Sequence, residues 1–176
     1  MKKVYLGCGK DRKQGYLHGD IRPLEDIDFV CQAWELSQHE QEFDEIFSRH
    51  MFEHLTAMEG ESALKDWFSA LVPGGLLHII VPDMDYHCRQ WLNAEWNETT
   101  IKDKWSDARH GFASIFGWQR ECNPAQSDYN QSYWDVHKSG YNQRRMQYVL
   151  SRNGYVDIDI SVQDDIHLVA KARKPQ

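Results

Sequence analysis

Val4-Tyr5-Leu6-Gly7-Cys8-Gly9-Lys10, close to the start of a 176-residue chain, is the stretch on which the reading of the fold turns. A short apolar run ending in a glycine turn is the pattern of a buried strand that opens a βα unit. In an open α/β sheet, ligands bind outside the carboxyl ends of the strands, at the crevice where strand order reverses. The Gly7-Cys8-Gly9 turn lines that crevice, and glycine there lets backbone approach a ligand. A dinucleotide site would carry a third glycine at position 12, and a P-loop would read Gly-Lys-Ser or Gly-Lys-Thr. This chain has Arg12 and Gly9-Lys10-Asp11, and Gly15 interrupts any long helix. A nicotinamide-dependent oxidoreductase is thereby disfavoured, and a ligand with a carboxylate and an amino group but no phosphate suits the loop better.

Outward from the turn, residues 16–21 read as a second strand closing on an acid, and residues 28–31 as a third. Asp20 lies thirteen positions past Gly7. An acid there accepts hydrogen bonds from both hydroxyls of a ribose, or, more plainly, forms an Asx-turn with Arg22-Pro23. Residues 43–48 make a fourth strand. Between 61 and 71, Ala63, Leu64, Trp67, Phe68 and Leu71 share one helical face, and Pro73-Gly74-Gly75 ends that helix. Residues 76–81 form a nearly continuous apolar strand, as in the centre of a parallel sheet. A helix over 143–152, capped by Gly154, precedes two alternating strands, 155–162 and 166–172, that pair antiparallel.

Strands alternating with helices give an α/β sheet in a single domain spanning 1–176, with a core of 1–83 and 141–176. Residues 84–140 are an insert or lid over one edge. It holds five of the seven tryptophans, Trp91, Trp96, Trp105, Trp118 and Trp134. These either stack on a carbohydrate or aromatic acceptor or form the core of a small helical lid. Core is the expectation for most, with Trp118, beside Gly117, as the exposed exception.

The bulk composition narrows the function classes. With 41% hydrophobic and 27% charged residues, the chain is an ordinary globular one. Its net charge of -7 opposes a broad grip on nucleic acid or anionic membrane. Cys8, Cys31, Cys88 and Cys122 show no CxxC pairing, and no run is long enough for a signal peptide or a membrane span, so a reduced, cytoplasmic setting is expected. Asp83, Asp85, His87, Cys88 and His110 match no standard metal spacing, and no metal is expected. Oligomeric state is not encoded in any motif.

The order of motifs resembles the class I S-adenosylmethionine-dependent methyltransferases. Val4-Tyr5-Leu6-Gly7-Cys8-Gly9 resembles their first motif, and Gly19-Asp20 the acid ending their second strand. Residues 43–48, followed by Met51-Phe52-Glu53-His54-Leu55, resemble their fourth motif and its "EH" continuation. Leu71-Val72-Pro73-Gly74-Gly75-Leu76 is similar to the turn before their fifth strand, and Asn153-Gly154-Tyr155 to the entry of the sixth. The likeness spans 1–83 and 141–172. More narrowly, Leu6-Gly7-Cys8-Gly9-Lys10, Gly15-Tyr16, Ile115-Phe116-Gly117 and His137-Lys138-Ser139-Gly140-Tyr141 resemble a bacterial subgroup linked to surface-polysaccharide synthesis. The resemblance implies a Rossmann-like sheet, mostly parallel with an antiparallel closing strand, a shortened first helix and a helical insert after the fifth strand. Three positions depart from the family: Tyr5 stands where an acid usually meets the methionine amino group, the third glycine is absent, and Gln32 stands where an acid usually meets adenine. A glutamine both accepts from an amine and donates to a ring nitrogen.

The implied cofactor is S-adenosylmethionine, held by Leu6, Gly7, Cys8, Gly9, Asp20, Ile21, Gln32, Ala33 and His50. The implied reaction is methyl transfer to a small-molecule or glycan acceptor; the alternative is a catalytically idle module that binds the donor as partner or regulator. Methyl transfer needs alignment and, for a hydroxyl acceptor, a base, for which histidine is suited. The candidates are His137, which the resemblance places near the acceptor; His50, just past the fourth strand; and Asp83, at the end of the fifth. His54 is expected to cap or pair locally.

Overall fold

The computed structural model describes residues 1–39, 42–120, 122–127, 129 and 133–176. Among them, seven strands form one sheet in the order β3-β2-β1-β4-β5-β7-β6. These are β1 (Lys3–Leu6), β2 (Leu17–Asp20), β3 (Phe29–Val30), β4 (Phe43–Arg49), β5 (Leu71–Pro82), β6 (Val156–Gln163) and β7 (His167–Arg173). β1 pairs in parallel with β2 and β4, β2 with β3, and β4 with β5. β7 runs antiparallel to both β5 and β6, so it alone opposes the common direction. The order reverses between β1 and β4, which puts the crevice of an open α/β sheet at their carboxyl ends.

Four α-helices and two short 3-10 turns complete the described fold; the α-helices are α1 (Ala57–Ala70), α2 (Met84–Asn93), α3 (Asp107–Phe116) and α4 (Gln143–Arg152). α1 starts where Thr56 and Glu59 form a reciprocal capping box, which satisfies two orphan donors of its first turn. Its buried face, Ala63, Leu64, Trp67 and Ala70, meets Phe52, Leu71, Leu77, Tyr141, Met146 and Leu150 in the main core. The Tyr155 hydroxyl donates to the Leu64 carbonyl at 2.8 Å, tying the entry of β6 to α1.

Two expectations are corrected. The Pro73-Gly74-Gly75 stretch does not end the helix: α1 stops at Ala70 and the chain enters β5 at Leu71. The three residues instead sit where the β4–β5 register slips, Phe43 facing Leu71 and Glu45 facing Leu76. Gly74, at φ 73°, lets the strand bulge and resume pairing. The shortened first helix is absent altogether: residues 7–16 form turns, with Gly7, Gly9 and Gly15 all at positive φ. Among the described residues Tyr5, Cys8 and Phe47 form a second, smaller cluster with Tyr16, Ile27 and Ile80.

The 84–140 segment leaves and rejoins the sheet at one point. The Met84 N–H donates to the Tyr141 carbonyl at 3.0 Å, and Asp83 bridges Tyr141. Residues 121, 128 and 130–132 of this segment lie outside the described residues. Its tryptophans do not make a lid core as expected: Trp96, Trp105 and Trp134 are each more than a third exposed. Trp91 packs on Trp96, Phe112 and Phe116. Trp118 is half-buried among Lys104, Arg109 and Arg120, whose cations lie 5.2–5.5 Å from its ring.

Candidate functional site

A cavity of about 610 Å³ opens at the carboxyl ends of β1, β2, β3 and β4. Leu6 ends the first strand and Gly7 follows it, Asp20 ends the second and Ile21 follows it, Gln32 and Ala33 come from the turn after the third, and His50 follows the fourth. Seven residues of the sequence-derived donor set thus share one cavity. Ala33 is anchored by the Trp67 indole, whose N–H donates to its carbonyl at 2.7 Å.

Cys8 and Gly9 do not line it. The Cys8 side chain turns to the opposite cluster with Tyr5 and Phe47, and burial pushes its thiol pKa up. Gly9 acts from behind the wall, its N–H donating to Asp20 Oδ2 at 2.8 Å. The loop's other amides are engaged too, since Gly7 and Cys8 both donate to the Gly19 carbonyl. A Cβ on Gly7 would collide with the Met51 side chain, so close packing as well as ligand approach requires glycine there. Tyr5 also lies away from the cavity, its ring tilted against Phe47 at 4.9 Å, with burial raising its hydroxyl to about 12.

Asp20 forms the turn of its plainer reading and is also a lining residue of the cavity. Its carboxylate reaches the cavity wall, and Oδ1 accepts from the Arg22 N–H at 3.0 Å in an Asx-turn. The Arg22 guanidinium adds bonds at 3.0 and 3.3 Å. Burial alone would raise this carboxyl, but the bonds from Arg22 and Gly9 outweigh it and hold the pKa below the ordinary value. Arg22 itself lines the cavity, a partner that sequence reasoning treats only as a turn residue.

At the other end of the cavity stand His50, Met51, His54, Trp134 and Lys138. His50 occupies a left-handed backbone conformation, φ 49°, and its Nδ1 lies 3.3 Å from Glu53 Oε1. Sequence reasoning passes over Glu53 as a chemical group, yet its side chain is 2% exposed and Oε2 has no hydrogen-bond partner. Burial pushes this carboxyl up, while the His50 hydrogen bond and the nearby His54 and His137 rings bring it below its usual value. The signal that could have found it is an acid inside the apolar stretch Met51-Phe52-Glu53-His54-Leu55.

His137 stands behind the wall, not on it. Its Nδ1 donates to the Ser114 carbonyl at 2.9 Å, its Nε2 is 3.9 Å from Glu53 Oε1, and its ring meets His54 edge-on at 4.7 Å. Burial lowers its pKa against the pull of Glu53. Asp83 is likewise removed from the cavity: it is buried and its carboxylate caps α2, accepting from the Asp85 and Tyr86 amides. The insert tryptophan on the wall is Trp134, not Trp118.

No protein-family model matches the sequence, and no curated protein matches it. Solved structures do. A methyltransferase from Methanosarcina mazei, described as S-adenosylmethionine-dependent, superposes with a TM-score of 0.64 at 14% identity over 99% of this chain and 92% of that one. The 1,6-didemethyltoxoflavin-N1-methyltransferase of Burkholderia thailandensis, solved with its substrate and S-adenosylhomocysteine, gives 0.58 at 15% identity over 99% and 71%. A possible exported protein from Bordetella parapertussis gives 0.58 at 14% identity; this chain, covered to 99%, spans 62% of its length. With the strand order and the antiparallel β7, these likenesses show that the chain has the Rossmann-like fold of the class I S-adenosylmethionine-dependent methyltransferases.

Proposed function

We propose that the chain binds S-adenosylmethionine in the 610 Å³ cavity and transfers its methyl group to a small-molecule or glycan acceptor. The observation that carries this reading is the convergence of Leu6, Asp20, Ile21, Gln32, Ala33 and His50 on one cavity at the switch point of the sheet. Its size falls in the range of ~300–1,000 Å³ typical of small-molecule sites. The chemistry of the walls fits the donor. Asp20 offers a buried carboxylate to a ribose diol, Gln32 an amide to the adenine edge, and Leu6 and Ile21 apolar surface to its faces.

When bound, the donor supplies a methyl group on a positively charged sulfonium. The protein's part is alignment and proton removal. Glu53 Oε1 accepts the Nδ1 hydrogen of His50, which leaves the lone pair on His50 Nε2. That nitrogen takes the proton of an acceptor hydroxyl as its oxygen attacks. Trp134 and Lys138 close the acceptor side, an aromatic face and a cation suited to an anionic sugar intermediate. In this reading His137 positions rather than abstracts, and Asp83 holds the insert. The net charge of -7 favours small acceptors over nucleic acid. Four free thiols suit a reducing, cytoplasmic setting.

The test is calorimetry with S-adenosylmethionine, S-adenosylhomocysteine and NAD. Binding of the two adenosyl compounds, lost in Asp20→Ala, supports the reading; no heat with either sinks it. Tyr5, turned away from the cavity, and the absent first helix favour a second reading, a donor-binding module without turnover. Binding without methyl transfer to any hydroxyl- or amine-bearing sugar acceptor would select that one.

A further inference from the structure

Glu53, His54 and His137 come from two distant segments, and backbone hydrogen bonds clamp those segments together. The Lys138 and Ser139 amides donate to the Glu53 carbonyl at 2.9 and 3.0 Å. Each imidazole is then oriented by a carbonyl, which can only accept. His54 Nδ1 donates to Val136 O at 3.1 Å, and His137 Nδ1 to Ser114 O at 2.9 Å. In both rings the hydrogen is thus on Nδ1 and the lone pair on Nε2, the outer bond that metal-ligating histidines ordinarily make. Facing them is Glu53, almost fully buried, with Oε2 lacking any hydrogen-bond partner. One ligand atom from each of the three lies within 4.8 Å of the others, and among the described residues no other such trio forms.

We propose that Glu53, His54 and His137 bind a divalent transition-metal ion, with zinc as the reference ion. Two imidazoles and a carboxylate are the ligand chemistry of borderline ions such as zinc, cobalt and iron(II). Binding draws the three atoms to roughly 3.3 Å apart, the edge of a tetrahedron with bonds of about 2.0 Å. Side-chain rotation supplies this closure while the clamped backbone stays in place. His54 lines the cavity, so the fourth position opens toward the acceptor side. Three protein ligands with one open position is the arrangement of a working metal site, where the ion can hold an acceptor oxygen. Glu53 Oε1 continues to hold His50, because the metal takes the unpartnered Oε2. The site does not depend on donor binding.

Metal-stripped protein, without any adenosyl compound, is titrated with zinc chloride in a calorimeter and with cobalt(II) chloride in a visible spectrometer. One equivalent of each binds, and cobalt develops ligand-field bands of a low-coordinate nitrogen–oxygen site. His54→Gln and His137→Gln each weaken zinc by more than ~100-fold, beyond the loss expected from an outer-shell change. His110→Gln, outside the trio, binds as wild type. Circular dichroism of each metal-free variant confirms that it is folded. The proposal is overturned if the wild-type chain takes up no stoichiometric zinc, or if folded His54→Gln and His137→Gln bind it undiminished.

Discussion

His50 Nδ1 lies 3.3 Å from Glu53 Oε1, and His50 holds that contact from the left-handed backbone region at φ 49°. Such a conformation costs a non-glycine residue about 1–3 kcal/mol and persists where surroundings over-determine it. Here the Ile80 carbonyl, accepting from the His50 amide at 2.9 Å, and the His167 ring, edge-on at 4.9 Å, fix the residue. In the proposed reading this strained histidine, oriented by a buried carboxylate at a cavity wall, serves as the base. Asparagine tolerates the same backbone region, so His50→Asn removes the ring with little change of loop geometry. The expected result is a fall in kcat of about 10²-fold or more with an S-adenosylhomocysteine Kd changed by less than about tenfold. Equal losses in both would assign His50 to donor binding alone.

Arg22 makes a second prediction. Its guanidinium occupies Asp20 oxygens that a ribose diol would need, at 3.0 and 3.3 Å. In the proposed reading, donor binding therefore exchanges an ion pair for hydrogen bonds from uncharged hydroxyls. Arg22→Met leaves those oxygens to the ligand and is expected to tighten S-adenosylhomocysteine severalfold, while Asp20→Asn weakens it by about tenfold or more. Isothermal titration reads both. Weaker binding by Arg22→Met would mean that Arg22 contacts the ligand directly.

How much of this site is legible in the sequence follows from the range of each interaction. β1, β4 and β5 are the central parallel strands, and the short apolar runs Val4-Tyr5-Leu6 and 76–81 mark two of them, while Phe43, Ile46 and Phe47 mark the third between polar residues. Asp20 and His50 are legible because strand ends in such a sheet meet at one crevice. The start of α1 escapes a reading by apolar stripe, which becomes regular only from Ala63, although Thr56 and Glu59 carry the capping-box spacing. Pro73-Gly74-Gly75 misleads because the same residues suit a helix stop and a bulge, and only the β4 partner decides between them. The Glu53–His54–His137 trio is illegible for a deeper reason. Three helices and the strand β5 separate His54 from His137, and nothing local records that the chain returns to Glu53.

Acid sensitivity should trace to His78 in β5. Its ring packs edge-on against Phe47 at 4.9 Å, with Glu45 Oε1 4.0 Å from Nδ1 and no hydrogen-bond partner on Nε2. Burial, then Lys171, lower its pKa from 6.5 to about 4, with Glu45 opposing and Lys13 assisting. Between those values the unfolded chain binds the proton and the folded chain does not, so stability rises with pH across the window and is lost as pH falls through it. Glu45, itself held below its usual pKa against the effect of burial by Lys3 and Tyr16, acts in the same direction. The expected loss from His78 is about 2 kcal/mol between pH 6.5 and 4 after allowing for solvent screening. Denaturant melts of wild type and His78→Gln at several pH values check this; an unchanged slope in the variant would clear His78 of the effect.

Gly117 offers a test of how the insert is fastened to the site. It ends α3 at φ 86° and ψ 163°, a region nearly reserved for glycine. A Cβ there would strike the Asp135 carbonyl, with the Val136 Cα 2.9 Å away. Those residues carry the contacts that orient the trio: Val136 O accepts from His54, and the His137 amide donates to Phe116 O at 3.2 Å. Gly15 is the control: at φ 82° it shares the backbone penalty, but a Cβ there would meet no atom within 4 Å. Gly15→Ala should cost about 1 kcal/mol, or roughly 3 °C in Tm. Gly117→Ala should cost at least twice that, and should also weaken zinc uptake, because any shift of 135–136 releases His54 from its carbonyl. Calorimetric melting and zinc titration of the two variants separate strain from collision. Equal melting shifts with undisturbed zinc affinity would show that segment 135–137 gives way freely, and that α3 does not hold the histidine pair in place.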